Sequence, residues 1–113
     1  MNLQNNKNQA YDGLNLFLAY LKVERGASIN TLCAYKTDLC QLITFLGNSE
    51  LCFKNEKWNW ANVSESHIKS YILNLDRNRY TVPTKARKIA SMSSFFKFLY
   101  DENEISSDPC EHI

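Results

Sequence analysis

Glycine and proline are scarce in this chain, three and two residues respectively, and no run of alternating β-branched residues stands out. Folds built from many short strands need those turn residues and that alternation, so a helical fold is expected. The cysteines Cys33, Cys40, Cys52 and Cys110 show no C-x-x-C spacing and no neighbouring histidine cluster, which argues against a zinc site. Cys33 and Cys40 read as small core or boundary residues of one helix. No signal-peptide pattern follows Met1, so reduced thiols and a cytoplasmic location are expected. No apolar run approaches the roughly 18 residues of a membrane span, so no membrane partner is expected. Imidazoles are limited to His67 and His112, and there is no Ser/His/Asp set, glycine-rich phosphate loop or H-E-x-x-H motif. The chain therefore shows no active site of its own and calls for no cofactor or metal.

What is present is an ordinary globular composition, 44% hydrophobic and 22% charged over 113 residues, enough for one domain with a modest core. The net charge of +1 conceals a segregated pattern. From Lys69 to Lys97 the bases Lys69, Arg77, Arg79, Lys85, Arg87, Lys88 and Lys97 face the single acid Asp76. From Phe98 onward Asp101, Glu102, Glu104, Asp108 and Glu111 are all acidic. A basic segment followed by an acidic tail suits a polyanionic partner, although the overall pI is modest for a free-standing DNA binder.

Apolar residues recur at helical spacing in four places. After a polar, frayed lead-in over residues 1–9, Leu14, Phe17, Leu18 and Leu21 mark a first helix from Ala10 to Glu24, closed by Arg25-Gly26. Leu32, Tyr35, Leu39, Leu42, Ile43 and Leu46 mark a second, over Thr31 to Leu46. Residues 47–62 read as an irregular loop whose aromatics Phe53, Trp58 and Trp60 lid the core. Ser64 caps a third helix from Glu65 to Leu75, with His67 on its surface. The fourth runs from Thr81 to Asn103, with Pro83 in its first turn and Ile89, Met92, Ser93, Phe96, Leu99 and Tyr100 toward the core. Residues 10–105 thus form one helical domain, and 106–113 begin a connection. The second and fourth helices each carry a polar strip near their starts. Each strip reads either as a solvated face or as an anion contact, since helix N-termini attract negative charge.

The run Asn30, Thr31, Tyr35, Asp38, Leu39, Leu42, Phe45, Leu46 resembles the opening of tyrosine recombinases of the phage-integrase, Xer-like type. Residues 63–75 and 84–113, with the Phe95-Phe96-x-Phe98-Leu99-Tyr100 core and Asp108-Pro109, resemble later parts of the same region. The resemblance implies an all-α, SAM-like fold: a small four-helix orthogonal bundle forming the N-terminal core-binding domain.

The resemblance further implies one jaw of a clamp on duplex DNA, acting in DNA integration and recombination. The partners it implies are double-stranded DNA, a C-terminal catalytic domain of the same parent chain, and other recombinase subunits in a DNA-bound tetramer. The nucleophilic tyrosine of the family belongs to that catalytic domain, and none of the tyrosines here matches its motif. This fragment is therefore expected to bind DNA and cut nothing, while the parent cleaves and rejoins strands. Carried over position by position, Thr31, Tyr35 and Lys36 of the second helix and Thr84, Lys85, Arg87, Lys88 and Ser91 of the fourth are the expected DNA contacts. Lys36 and Arg87 should then share one outward surface. Ser93 and Ser94 replace the Arg or Lys of many relatives, so micromolar or weaker affinity is expected of the isolated domain. The alternative is a helical protein-interaction domain that uses the acidic tail and the loop aromatics.

Overall fold

A computed structural model describes residues 3–48, 53–54 and 57–113. Four helices account for most of it: α1 (Leu3–Glu24), α2 (Ile29–Leu46), α3 (Glu65–Arg77) and α4 (Val82–Asp101). The first begins at Leu3, so the segment expected to fray before Ala10 is helical from there onward. Gly26 turns the chain between α1 and α2 with a φ of 62°, a left-handed conformation that side chains with a Cβ resist. Ser28 then caps α2, its hydroxyl accepting from the Thr31 amide.

The described residues between α2 and α3 hold more regular structure than their composition suggests. Two short strands, β1 (Phe53–Lys54) and β2 (Lys57–Trp58), pair antiparallel with Phe53 opposite Trp58. The Trp58 amide donates to the Gln9 side chain at 3.2 Å, tying this hairpin to α1. A single 3-10 turn, Trp60–Asn62, leads on to Ser64. Ser64 caps α3 as expected, and His67 completes a capping box by accepting the Ser64 amide at Nδ1, 2.9 Å away. His67 is thus a half-buried structural residue rather than a plain surface one. Cys52 and the side chain of Phe53 lie outside the described residues.

The core is aromatic and collects around α4. Trp60 meets Phe95 edge-on at 4.8 Å and Phe96 at 5.6 Å, while Phe17 of α1 meets Phe95 at 5.5 Å. Such tilted and edge-on pairs are favourable beyond the area they bury. Trp58 and Trp60 are both buried, so these two loop aromatics do close the core. The buried stripe of α4 is turned relative to expectation. Lys88, Ser91, Met92, Phe95, Phe96 and Leu99 are buried, Ile89 and Ser93 lie half-buried beside them, and Tyr100 is exposed. The helix stops at Asp101, short of Asn103, whose φ of 60° breaks the helical path. Beyond it the chain packs back on the bundle through Ile105, Pro109 and Cys110.

Candidate nucleic-acid interface

Asp38 decides how α2 meets α4. It stands next to Leu39 at the edge of the apolar stripe of α2, and its side chain is fully buried. A carboxylate removed from water needs charged partners. Three residues of α4 supply them. Arg87 donates from Nε and Nη2 to the two carboxylate oxygens, 2.9 Å each, in a bidentate fork. Lys88 donates from Nζ to the same carboxylate at 3.0 Å and to Gln41 Oε1 at 2.8 Å. The Ser91 hydroxyl lies 3.4 Å from the carboxylate and donates to the Lys88 carbonyl at 3.0 Å. Tyr80, in the turn before α4, closes the group: its hydroxyl accepts from Gln41 at 2.9 Å and its ring lies 4.9 Å from Lys88 Nζ.

Burial works to raise the Asp38 carboxyl, but the hydrogen bonds and charges of Arg87 and Lys88 outweigh it and leave it below its ordinary value. The same bonds push the Arg87 guanidinium up, with the Tyr35 hydroxyl among its electrostatic neighbours.

This cluster revises the expected contact set. Lys88 and Ser91 are buried, 5% and 0% exposed, and are committed to Asp38, so neither reaches a ligand from this position. Their place in a basic, hydroxylic stretch concealed that they line the seam between two helices. Arg87 also bonds Asp38, yet its side chain remains 42% exposed and its outer edge faces solvent. Lys36 is exposed, but it lies about 160° around α2 from Asp38 at roughly 3.6 residues per turn. The structure therefore does not bring Lys36 to Arg87, and the single surface expected of that pair is not formed.

The remaining expected residues sit at the two helix starts. Thr31 is exposed in the first turn of α2, where its hydroxyl accepts from Ser28 at 3.1 Å. Tyr35 is half-buried. Thr84 is half-buried one turn into α4, bonded to the capping hydroxyl of Thr81 at 2.9 Å. Lys85 is ion-paired with Asp76 at the end of α3, which ties the α3 terminus to the first turn of α4. Arg77 at the end of α3 and Arg79 in the turn that follows are both exposed, with Arg79 in a left-handed conformation at φ 56°. Neither forms an ion pair among the described residues. They were not among the expected contacts, although the sequence Asp76-Arg77-Asn78-Arg79-Tyr80 signals a basic turn. Arg77 and Arg79 lie at the end of α3 and in the turn that leads into α4, while on α4 itself Lys85 pairs toward α3 and Arg87 toward α2, about 160° apart around the helix. No helix of the described residues is long and apolar enough to cross a membrane.

Comparison with known proteins agrees with this architecture. The family described as the phage integrase N-terminal SAM-like domain matches residues 14–103. A protein named tyrosine recombinase XerC from Herpetosiphon aurantiacus is 38% identical over 100 residues, covering 88% of this chain and 31% of the relative. The XerC of Roseiflexus sp. strain RS-1 is 36% identical over 102 residues, 90% of this chain and 31% of the relative. A tyrosine recombinase XerD from Oceanobacillus iheyensis is 32% identical over 97 residues, with 86% and 31% covered. This chain thus spans about a third of the length of the curated relatives it matches, 31% in each of these three. No solved structure matches it. The match of the family model over most of the chain, in keeping with the four-helix all-α bundle, shows that the chain belongs to the phage integrase N-terminal SAM-like domain family.

Proposed function

We propose that this chain is the duplex-DNA-binding module of a site-specific tyrosine recombinase, one jaw of a clamp around the recombination site. The observation that carries the reading is Arg87. It is fixed by a two-bond fork to a buried carboxylate, yet its side chain stays 42% exposed in the second turn of α4. A guanidinium held in this way has lost its conformational freedom before binding, which favours contact with a phosphate or a guanine edge. Arg77 and Arg79, both exposed and in no ion pair among the described residues, supply phosphate neutralisation in addition. The parent chain, on this reading, adds a catalytic domain, works on DNA in the cytoplasm as a tetramer, and cleaves and rejoins strands.

The test is a duplex titration by fluorescence anisotropy at two salt concentrations. With about three to four phosphates contacted, log K falls against log salt with a slope near −3. Arg87→Ala leaves the Asp38–Lys88 pair in place and should weaken binding by about tenfold. Arg77→Ala with Arg79→Ala should lower the salt slope by about two. Binding that ignores both salt and these side chains would end the proposal.

The alternative, a protein-interaction domain, loses part of its support because Trp58 and Trp60 are buried. The acidic end of α4 is the feature that still favours a protein partner.

A further inference from the structure

A helix on the surface of a bundle ordinarily carries one apolar strip, the one it buries. Helix α1 carries two. Ala10, Leu14 and Phe17 face the core, while Leu16, Tyr20 and Val23 line a flank about 120° around the helix, where Leu16 is 60% and Val23 76% exposed and Tyr20 is half-buried. With Phe98 of α4, the second strip floors an open groove of about 600 Å³. Within it Tyr20 and Phe98 pack at 5.1 Å between ring centres.

The charged residues that line the groove are all acidic. Asp12, Glu24, Glu102 and Glu104 line it, and no lysine or arginine does. None of the four forms an ion pair among the described residues. Arg25, next along the chain from Glu24, donates to the Tyr20 hydroxyl at 3.0 Å and lines a neighbouring cleft instead. Both α1 and α4 end at this groove, so their C-terminal carbonyls add negative potential to that of the carboxylates. The last turn of α4 has no basic residue to offset it. Lys22 in the last turn of α1 and Arg25 and Lys97 in the adjoining cleft do not line the groove itself, and an apolar floor inside this acidic rim matches an apolar strip flanked by cations.

We propose that this groove docks a basic amphipathic helix of a partner protein, its apolar strip on Leu16, Tyr20, Val23 and Phe98 and its Lys and Arg side chains on the four carboxylates. The site lies at the far end of α4 from Arg87, about 17 Å along the helix to Phe98 at 1.5 Å per residue. DNA and this partner therefore occupy the domain together. A second copy of this chain is the weaker fit, because its own exposed bases, Arg77 and Arg79, are the ones assigned to DNA above.

The test uses the chain as it stands, labelled with 15N, and a synthetic helical peptide of about 16 residues. The peptide carries leucine at i, i+3, i+4 and i+7 with lysine elsewhere; a control has the same composition with leucines spread around the helix. The expected result is one saturable site with amide shifts confined to residues 12–24 and 98–104. Val23→Asn should weaken binding at least tenfold, and Glu24→Gln with Glu102→Gln about fivefold. All three side chains are exposed, so the fold is retained, which unchanged duplex binding by Val23→Asn confirms. Equal binding of the control peptide, shifts centred on the start of α4, or no saturation would overturn the proposal. So would self-association of the chain that Val23→Asn abolishes, which assigns the groove to a second copy.

Discussion

Replacing Asp38 with asparagine preserves the shape of the side chain and removes its charge, which isolates what that charge contributes. In the native seam Lys88 Nζ lies 3.0 Å from the Asp38 carboxylate and 2.8 Å from Gln41, on a side chain only 6% exposed. Without the carboxylate, the buried ammonium keeps only neutral amide oxygens, of the substituted side chain and of Gln41, and the Tyr80 ring. Removing one partner of a buried pair costs about 3–5 kcal/mol, because an uncompensated charge is left inside. Arg87 returns its guanidinium to solvent and adds at most about 1 kcal/mol. Against a total stability of about 5–15 kcal/mol, this is a large fraction. With a urea slope near 1.5 kcal/mol per molar, the unfolding midpoint by circular dichroism should fall by about 2–3 M. Adding Lys88→Met to Asp38→Asn removes the stranded charge, and the double variant should recover to within about 1 kcal/mol of the parent. Two outcomes would refute the reasoning: Asp38→Asn costing under about 1 kcal/mol, or the double variant being less stable than either single one.

Four further measurements probe the same structure. The Asp38 carboxyl is depressed in the fold, so the stability it contributes is complete above its unfolded value of about 3.9 and is lost as pH falls through the lower folded value. Acid titration of stability should therefore be shallower below about pH 4 in the Asp38→Asn, Lys88→Met variant than in the parent. The Tyr71 hydroxyl is buried with no hydrogen-bond partner among the described residues, and burial pushes its phenol well up. Tyr71→Phe should accordingly raise the melting temperature, by about 1 kcal/mol of stability. A Cβ at Gly26 would meet nothing within 4 Å, so Gly26→Ala should cost about 1–2 kcal/mol from its φ of 62° alone, read by urea denaturation. Burial pushes the Cys110 thiol up to about 12, whereas Cys33 is exposed. Peptide mapping after alkylation at pH 8 should find Cys33 modified and Cys110 intact until the protein unfolds.

The helices and most of the core could be read from apolar spacing, because that signal lies within each helix. Leu14, Phe17, Leu39, Leu42, Met92, Phe96 and Leu99 are all buried as their spacing requires. The cap Ser64 and the start of α4 next to Thr81 and Pro83 were legible for the same local reason. What could not be read depends on a second element. A carboxylate beside an apolar stripe looks the same whether it faces water or another helix, so the burial of Asp38 had no local sign. Lys88 and Ser91 then took the character of their basic neighbours, and two of the expected contacts proved to be internal. Phe95 is buried because Phe17 and Trp60 come to meet it, and Tyr100 is exposed because nothing does. The hairpin of two-residue strands is too short to show any alternation.

The chain has two tryptophans, and both lie on the α1 side of the bundle, Trp58 bonded through its amide to Gln9 and Trp60 lining the groove. Neither takes part in the Asp38 cluster. Indole emission would therefore serve as a built-in reporter that tells the two surfaces apart: it should change when the groove is filled and stay dark to events at Arg87.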